Sequence, residues 1–296
     1  MNQFDILSTK ETINSALETW FIQNVLFKGS SYRSEFDNEI IADSAVLIYL
    51  ALGAIDLNLV NKVNFSKKLV LYHMGDERLD KDISAYASCN LVIRNYYFKE
   101  IINSSSTNII WAPNGFRTSV GPRSMLNLRR SNSRSYLAAF LGWISNSTSY
   151  QNERTKFFES AKTCGGNLYF LPTNNFGGGY NIGLYSAVME DAIFAPCPAG
   201  NSPENIRLYD ALEVGCIPIS LAHEFLFSED ALALIGPVPF PILSSWEDLP
   251  KFLSEMKGKR ETSPQYISDL QFKCISWWSS YKVAIATKIS TYIQRL

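Results

Sequence analysis

The repeated alternation of short apolar runs with segments of helical length constrains the fold of this chain most strongly. The runs have the length of β-strands, and their sequences are AVLIYL (45–50), LVLYH (69–73), LVIR (91–94), NIIWA (108–112), YLAAFL (136–141), NLYFL (167–171), AIFA (192–195) and CIPISL (216–221). Such runs are typical of strands buried on both faces, and the helices between them supply the crossovers that a parallel sheet requires. We therefore predict an α/β protein built from repeated βαβ units.

A basic, turn-rich stretch at 113–134 interrupts this alternation and is the candidate linker. The chain has 296 residues, which is enough for two domains of ordinary size. We predict two Rossmann-like, doubly wound domains that face each other across a cleft, over 1–130 and 131–270. The segment 271–296 is predicted to form a helix that crosses back toward the first domain.

The composition excludes several classes of function. The formal net charge of −1 offers no basic field for nucleic acid. The five cysteines are scattered without a CxxC pair, and there are only two histidines, so we predict free thiols and no metal site. The Asp80-Lys81-Asp82 sequence is only a weak metal pattern. No signal peptide or apolar run of about 18 residues occurs, so we expect a soluble, cytoplasmic protein without a transmembrane segment.

The stretch PAGNSPENIRLYDALEVGCIPI (198–219) carries the strongest candidate site. We predict a helix over 203–214 with Ser202 as its N-cap, directly after the strand 192–195 and its Pro/Gly loop. A helix that begins at the carboxyl end of a strand presents free backbone N–H groups to an anion. Gly200, Asn201 and Ser202 are therefore predicted to bind a diphosphate.

Two charged residues on this predicted helix have competing explanations. Arg207 lies one turn inside the anion site and could bridge two phosphates, while Asp210 could accept hydrogen bonds from a ribose diol. Alternatively, the two form an ordinary salt bridge on a solvated helix face. In the same half, Gly142 follows a strand and leaves room for a ligand. Arg154 begins the next helix and faces either a phosphate or solvent.

The sequence HMGDER (73–78) directly follows a predicted strand in the first half of the chain. A carboxylate at the carboxyl end of a parallel strand points toward a ligand site, so Asp76 or Glu77 could be a general base. A plain Gly-Asp turn is the alternative. We predict that His73, Arg94, Asn95 and Tyr97, which also end strands, bind the acceptor, although the aromatic residues could equally fill the core.

The second half resembles the exostosin-like family, glycosyltransferase family 47. The shared features are the loop 197–200 (CPAG), the helix 207–212 (RLYDAL) and the segment 215–219 (GCIPI), with looser likeness at Phe140-x-Gly142 and Arg154. In the first half, 75–77 (GDE) and 94–97 (RNYY) resemble the branch that contains ribitol xylosyltransferases.

This resemblance implies a GT-B fold and inverting transfer from a nucleotide sugar, usually UDP-linked, without an obligatory metal or other cofactor. It implies that Arg207 binds the diphosphate and that the acidic residue at position 210 binds the ribose. Asp210 replaces the usual Glu here and is one methylene shorter, so Glu204 or Glu213 could share that role. The chain is short and lacks the membrane anchor typical of the eukaryotic members, so we expect a soluble bacterial or viral member.

Our leading hypothesis is an inverting glycosyltransferase that transfers a sugar, with xylose as the preferred candidate, from a UDP-sugar to a hydroxyl of a glycan or glycoprotein acceptor. The first domain would bind the acceptor and supply a carboxylate base, Asp76 or else Glu77. The alternative is a non-catalytic nucleotide-sugar or glycan-binding partner subunit. A nucleotide-sugar epimerase or dehydrogenase is disfavoured, because no GxGxxG motif follows a first strand.

Overall fold

The computed structural model describes residues 5–34, 46–64, 68–102, 108–144 and 150–296. The chain divides into two compact units. Unit 1 comprises Met1–Gly115 and Lys282–Leu296, and unit 2 comprises Phe116–Tyr281. Among the described residues, no helix is both long enough and apolar enough to cross a membrane.

Unit 1 is a six-stranded parallel sheet with the strand order β2-β1-β3-β4-β5-β6. Its strands are β1 (Asp5–Ser8), β2 (Ser31–Ser34), β3 (Val46–Leu52), β4 (Lys68–Met74), β5 (Leu91–Arg94) and β6 (Ile109–Trp111). Its helices are α1 (Lys10–Ser15), α2 (Thr19–Phe21), α3 (Leu57–Asn64) and α4 (Lys99–Ile102), with a π-helical turn at Ile22–Leu26 and a 3-10 turn at Ser84–Ser88. Apolar side chains of β3, β4 and β5 form a core with α3, which explains the continuous apolar runs in these strands.

Unit 2 is a five-stranded parallel sheet with the strand order β11-β10-β9-β7-β8. Its strands are β7 (Tyr136–Trp143), β8 (Leu168–Thr173), β9 (Ala192–Pro196), β10 (Ile217–Leu221) and β11 (Ile242–Leu243). The helices are α5 (Glu153–Ala161), α6 (Ile182–Glu190), α7 (Ile206–Glu213), α8 (Glu224–Phe227), α9 (Glu229–Ile235) and α10 (Leu249–Thr262). The 3-10 turns are Met125–Asn127, Ser131–Ser133, Tyr150–Asn152 and Trp246–Asp248. Helix α11 (Pro264–Gln294) begins in unit 2, and its last residues belong to unit 1.

These two sheets confirm the predicted fold class of two Rossmann-like α/β domains. The division of the chain falls after Gly115 and Tyr281, whereas we predicted boundaries after residues 130 and 270. The predicted linker instead packs on unit 2. There the buried guanidinium of Arg134 donates to the carbonyls of Ala192 and Val214, both at 2.7 Å.

Candidate functional site

The strand order of unit 2 reverses between β7 and β9. The strands that follow β7 in the chain lie on both sides of it, as in the flavodoxin-like order 2-1-3-4-5. Open α/β sheets of this kind bind ligands beyond the carboxyl ends of the two strands that flank the reversal. The carboxyl ends of β7 and β9 are therefore the expected position of a ligand site.

The Arg207 side chain reaches this point from the first turn of α7. Its guanidinium lies over the Phe140 ring, with the Cζ atom 4.1 Å from the ring centroid, and its Nη2 donates to the Leu141 carbonyl at 2.8 Å. A Cβ atom added to Gly142 would lie 2.3 Å from Nη2, so any side chain at this position would displace the guanidinium from where it now lies. Arg207 is only 8% exposed, yet its Nε has no hydrogen-bond partner among the described residues. A buried cationic donor without a partner is the property expected of an anion-binding site.

Arg154 reaches the same strand end from the start of α5. Its Nη1 donates to the Trp143 carbonyl at 3.0 Å, and its Nε donates to the Ala199 carbonyl at 3.2 Å. A Cβ atom on Gly200 would lie 2.8 Å from its Nη2. The structure thus brings Arg154 and Arg207 to neighbouring carbonyls of β7, and each guanidinium occupies the space that a glycine leaves.

The helix after β9 begins later than the sequence predicts. It starts at Ile206 rather than Pro203, and the residues 201–204 form bends. The extended Asn205 precedes it, and its side-chain amide donates to the carbonyls of Cys197 and Pro198, so the loop is tied to itself. Ser202 is buried but does not cap the helix, and its carbonyl accepts from the Gly200 N–H at 3.0 Å.

Asp210 lies one turn after Arg207, but it has a different environment from the one that we predicted. It is completely buried, and its Oδ1 accepts from the Arg117 backbone N–H at 2.8 Å. Its Oδ2 lies 2.7 Å from the Arg117 Nη2 and accepts from the Tyr185 hydroxyl at 3.2 Å. Burial lowers the pKa of the Arg117 guanidinium, but the Asp210 carboxylate outweighs burial and raises that pKa above its usual range. Both carboxylate oxygens are therefore used within unit 2, and neither faces a ribose.

The two neighbouring glutamates are also held by the protein. Glu213 is buried; it accepts from the Arg123 N–H at 2.7 Å and from the Trp278 indole N–H at 2.6 Å. Glu204 is buried and accepts from the Tyr209 hydroxyl at 2.9 Å. Glu213, at the end of α7, thus binds both the predicted linker, through Arg123, and α11, through Trp278. This role is structural.

In unit 1, most of the predicted acceptor residues form a buried framework. His73 is 1% exposed; its Nε2 donates to the Gly53 carbonyl at 2.8 Å, so its Nδ1 accepts from the Tyr86 hydroxyl at 2.7 Å. Burial lowers the pKa of His73 and raises the pKa of Tyr86 to about 12. Arg94 is fully buried and donates to Tyr86 and to both the carbonyl and the carboxylate of Asp76.

The same framework holds Asp76 and Asn95. Asp76 is 1% exposed, and its Oδ1 accepts from the N–H groups of Asp80 and Lys81. Asn95 is 2% exposed, accepts from the Gly75 N–H and donates to Asn114. The buried side chains of His73, Arg94 and Asn95 therefore hold the ends of β4 and β5 in place. Their polar atoms do not lie at the surface.

Three other predicted or neighbouring side chains remain partly exposed at this end of the sheet. Glu77 accepts from the Tyr96 hydroxyl at 3.3 Å, and Tyr97 packs edge-on against Trp111 with their ring centroids 5.5 Å apart. Tyr96 adopts a left-handed conformation (φ 60°), which is unusual outside glycine. Of the two candidate bases, only Glu77 is accessible to an acceptor hydroxyl.

Glu153 and His223 form a buried pair beside Arg154 that the sequence does not predict. No local motif marks them, because they lie on separate elements and meet only in the folded unit. The described residues contain no group of three or more His, Cys, Asp or Glu side chains that could hold a metal ion.

Residues 95–232 match the model of the exostosin GT47 domain. This match confirms the predicted likeness to exostosins and supports a glycosyltransferase enzyme. It begins directly after β5 and includes β6 to β10 and the helix that carries Arg207. No curated protein sequence matches the chain.

Several solved structures are similar to the whole chain at low identity. Sucrose-phosphate synthase from Thermosynechococcus elongatus is 10% identical over 97% of this chain and 79% of its own, with a TM-score of 0.48. The apo form of the lipopolysaccharide outer core galactosyltransferase WaaB is 11% identical over 100% of both chains, with a TM-score of 0.47. MurG from Acinetobacter baumannii is 6% identical over 100% of both chains, with a TM-score of 0.42.

Proposed function

We propose that this protein is an inverting glycosyltransferase that transfers a sugar from a UDP-sugar to a hydroxyl group of a glycan or glycoprotein acceptor. One observation carries the proposal: Arg154 and Arg207 both donate to backbone carbonyls at the carboxyl end of β7, and the Arg207 Nε has no partner in the described part of the chain. This pair lies inside the segment that matches the exostosin GT47 domain. Xylose is the preferred sugar, because 75–77 and 94–97 resemble the ribitol xylosyltransferase branch.

The two guanidiniums suit a leaving diphosphate. When the bond between the anomeric carbon and the phosphate oxygen breaks, negative charge develops on the β-phosphate, and fixed cations stabilise that charge most where water is excluded. We further propose that the loop of Gly200, Asn201 and Ser202, which follows β9, lies beside the diphosphate. With two fixed cations at this point, transfer is expected to proceed without a divalent metal.

We assign the role of general base to Glu77. It would accept the proton of the acceptor hydroxyl while the oxygen attacks the anomeric carbon from the face opposite the diphosphate, so the configuration inverts. Asp76 is unsuited to this step, because its carboxylate is buried against Arg94 and two backbone N–H groups. The partly exposed Tyr96 and Tyr97 rings give the neighbouring surface the stacking character that sugars favour.

The test is turnover with a panel of donors. The protein is incubated with UDP-xylose, UDP-galactose, UDP-glucose, UDP-GlcNAc and UDP-glucuronate, with and without candidate acceptors, and the release of UDP is measured. We expect release with at least one donor, undiminished by a metal chelator. Failure to release UDP from any donor, under every acceptor condition, would contradict the enzyme proposal.

A non-catalytic nucleotide-sugar or glycan-binding subunit is the second candidate. The occupied carboxylate of Asp210 favours it, because the expected ribose contact is missing at that position. A binder would show donor binding by calorimetry and no change in slow donor hydrolysis for Glu77→Gln. A large loss of turnover in Glu77→Gln with unchanged UDP affinity rejects this candidate.

A further inference from the structure

The buried pair of Glu153 and His223 packs against the loop that follows β9, where Glu153 contacts Ala199. Glu153 is 2% exposed and His223 6%. The His223 Nε2 lies 3.1 Å from the Glu153 Oε1, an ion-pair distance, and within the described ranges neither atom has a hydrogen-bond partner. The other carboxylate oxygen accepts from the Ala199 N–H at 2.9 Å and from the Trp246 indole N–H at 3.0 Å.

The start of α5 and the turn before it hold three backbone groups of this loop. Glu153 accepts from the Ala199 N–H, Arg154 donates to the Ala199 carbonyl, and the Tyr150 N–H donates to the Gly200 carbonyl at 2.7 Å. A shift of the Glu153 carboxylate would therefore move Ala199 and, through it, the Arg154 guanidinium. Such rigid support is how proteins keep a binding group in its productive position.

The backbone just before Glu153 is strained, and this strain accompanies the contacts with the Ala199–Gly200 loop. Gln151 (φ 49°) and Asn152 (φ 57°) both adopt the left-handed conformation immediately before Glu153. Two successive non-glycine residues in this region cost free energy, and such strain persists only where surrounding contacts determine the backbone. The contacts that determine it here are those of Tyr150, Glu153 and Arg154 with the loop.

The ionisation of Glu153 fits this role. Burial raises the pKa of the Glu153 carboxyl, but His223, the Ala199 N–H and the Trp246 N–H outweigh burial and hold that pKa below its usual range. Glu153 is consequently a carboxylate at neutral pH, and a charged acceptor binds an N–H group more strongly than a neutral one does.

We propose that Glu153 and His223 are positioning residues of the donor site, which fix the Ala199–Gly200 backbone and the Arg154 guanidinium against the diphosphate. This inference deepens the proposed function and rests on it for the identity of the ligand. Neither residue touches the donor. Their role is to hold the loop that does.

Two matched variants test the proposal. Glu153→Gln keeps the shape and removes the charge. His223→Phe keeps a ring that can stack on Phe225 and pack against Tyr150, and removes the nitrogen that faces Glu153. Glu159→Gln is the control, because it removes an exposed carboxylate from the same helix. UDP affinity is measured by calorimetry, donor KM and kcat by turnover, and hydrogen exchange of the Ala199 amide by NMR.

We expect the UDP Kd and the donor KM to rise about tenfold in both variants, as is typical for loss of a charge-assisted hydrogen bond, with acceptor KM unchanged. Hydrogen exchange at Ala199 should become faster, and Glu159→Gln should match the wild type. A His223→Gln variant, which places a polar amide beside the Glu153 carboxylate, should recover UDP affinity. If folded variants keep wild-type UDP affinity and wild-type exchange at Ala199, the positioning role is overturned.

The two proposals can fail separately. If the wild type binds no UDP and turns over no donor, the proposed function fails, and exchange at Ala199 still decides the positioning role. If Glu153→Gln does not fold, His223→Phe and its rescue by His223→Gln carry the test, since they leave the carboxylate and its bond to Ala199 in place.

Discussion

Asp210 gives the sharpest test of the difference between a ligand-binding and a structural carboxylate. It is completely buried against Arg117, whose side chain is 10% exposed, and against the Tyr185 hydroxyl. Asp210→Asn removes the negative charge and leaves the Arg117 guanidinium buried without a counter-charge. Breaking a buried ion pair in this way costs about 3–5 kcal/mol of unfolding free energy. For a unit of this size that corresponds to a fall in Tm of about 6–20 °C.

The assay is thermal unfolding followed by circular dichroism, with UDP affinity measured on the folded protein. Arg117→Gln should destabilise unit 2 by a similar amount, and the double variant should lose much less than the sum, because neither charge is then left alone. A Tm for Asp210→Asn within about 2 °C of the wild type would refute this reasoning, since loss of a buried ion pair costs more than that. That result together with a large rise in donor KM would restore the ribose-binding role.

Three further predictions follow from the same structure. Gly142→Ala should weaken UDP binding at least as much as Arg207→Lys does, because the new methyl group displaces the guanidinium; unchanged affinity by calorimetry would contradict the Gly142–Arg207 contact. Glu77→Gln should abolish turnover with little change in Tm, whereas Asp76→Asn should lower Tm, and the opposite pattern would reassign the base. The folded pKa of His73 lies below its unfolded value of 6.5, so its contribution to stability is fully present above pH 6.5 and is lost as pH falls through the folded pKa. Denaturant unfolding of His73→Gln should accordingly depend less on pH below 6.5 than that of the wild type.

Among the described strands, the sequence pattern predicted β3 to β10 and missed β1, β2 and β11. β3, β4 and β7 stand out because both faces of each strand are covered. β1 (DILS) and β2 (SYRS) are four residues long and partly polar, so neither periodicity nor composition marks them. Their position was determined by pairing with each other and with β3, which is a tertiary property.

The candidate site was predictable in part for a similar reason. Gly142, Arg154, Gly200 and Arg207 sit at strand ends and helix starts, where local sequence and topology together indicate the position. The partners of Asp210 were not predictable, because they depend on the segment from Phe116 onward packing on unit 2 rather than forming a linker. Acidic residues at helix spacing look the same in sequence whether they face a ligand or a buried arginine.

A crystal structure of the protein with UDP bound tests the central claim most directly. We predict that the diphosphate lies at the carboxyl end of β7, with the Arg207 and Arg154 guanidiniums within hydrogen-bond distance of its oxygens and the Arg207 Nε used as a donor. UDP bound elsewhere, or bound with neither arginine in contact with the diphosphate, would contradict the proposed donor site.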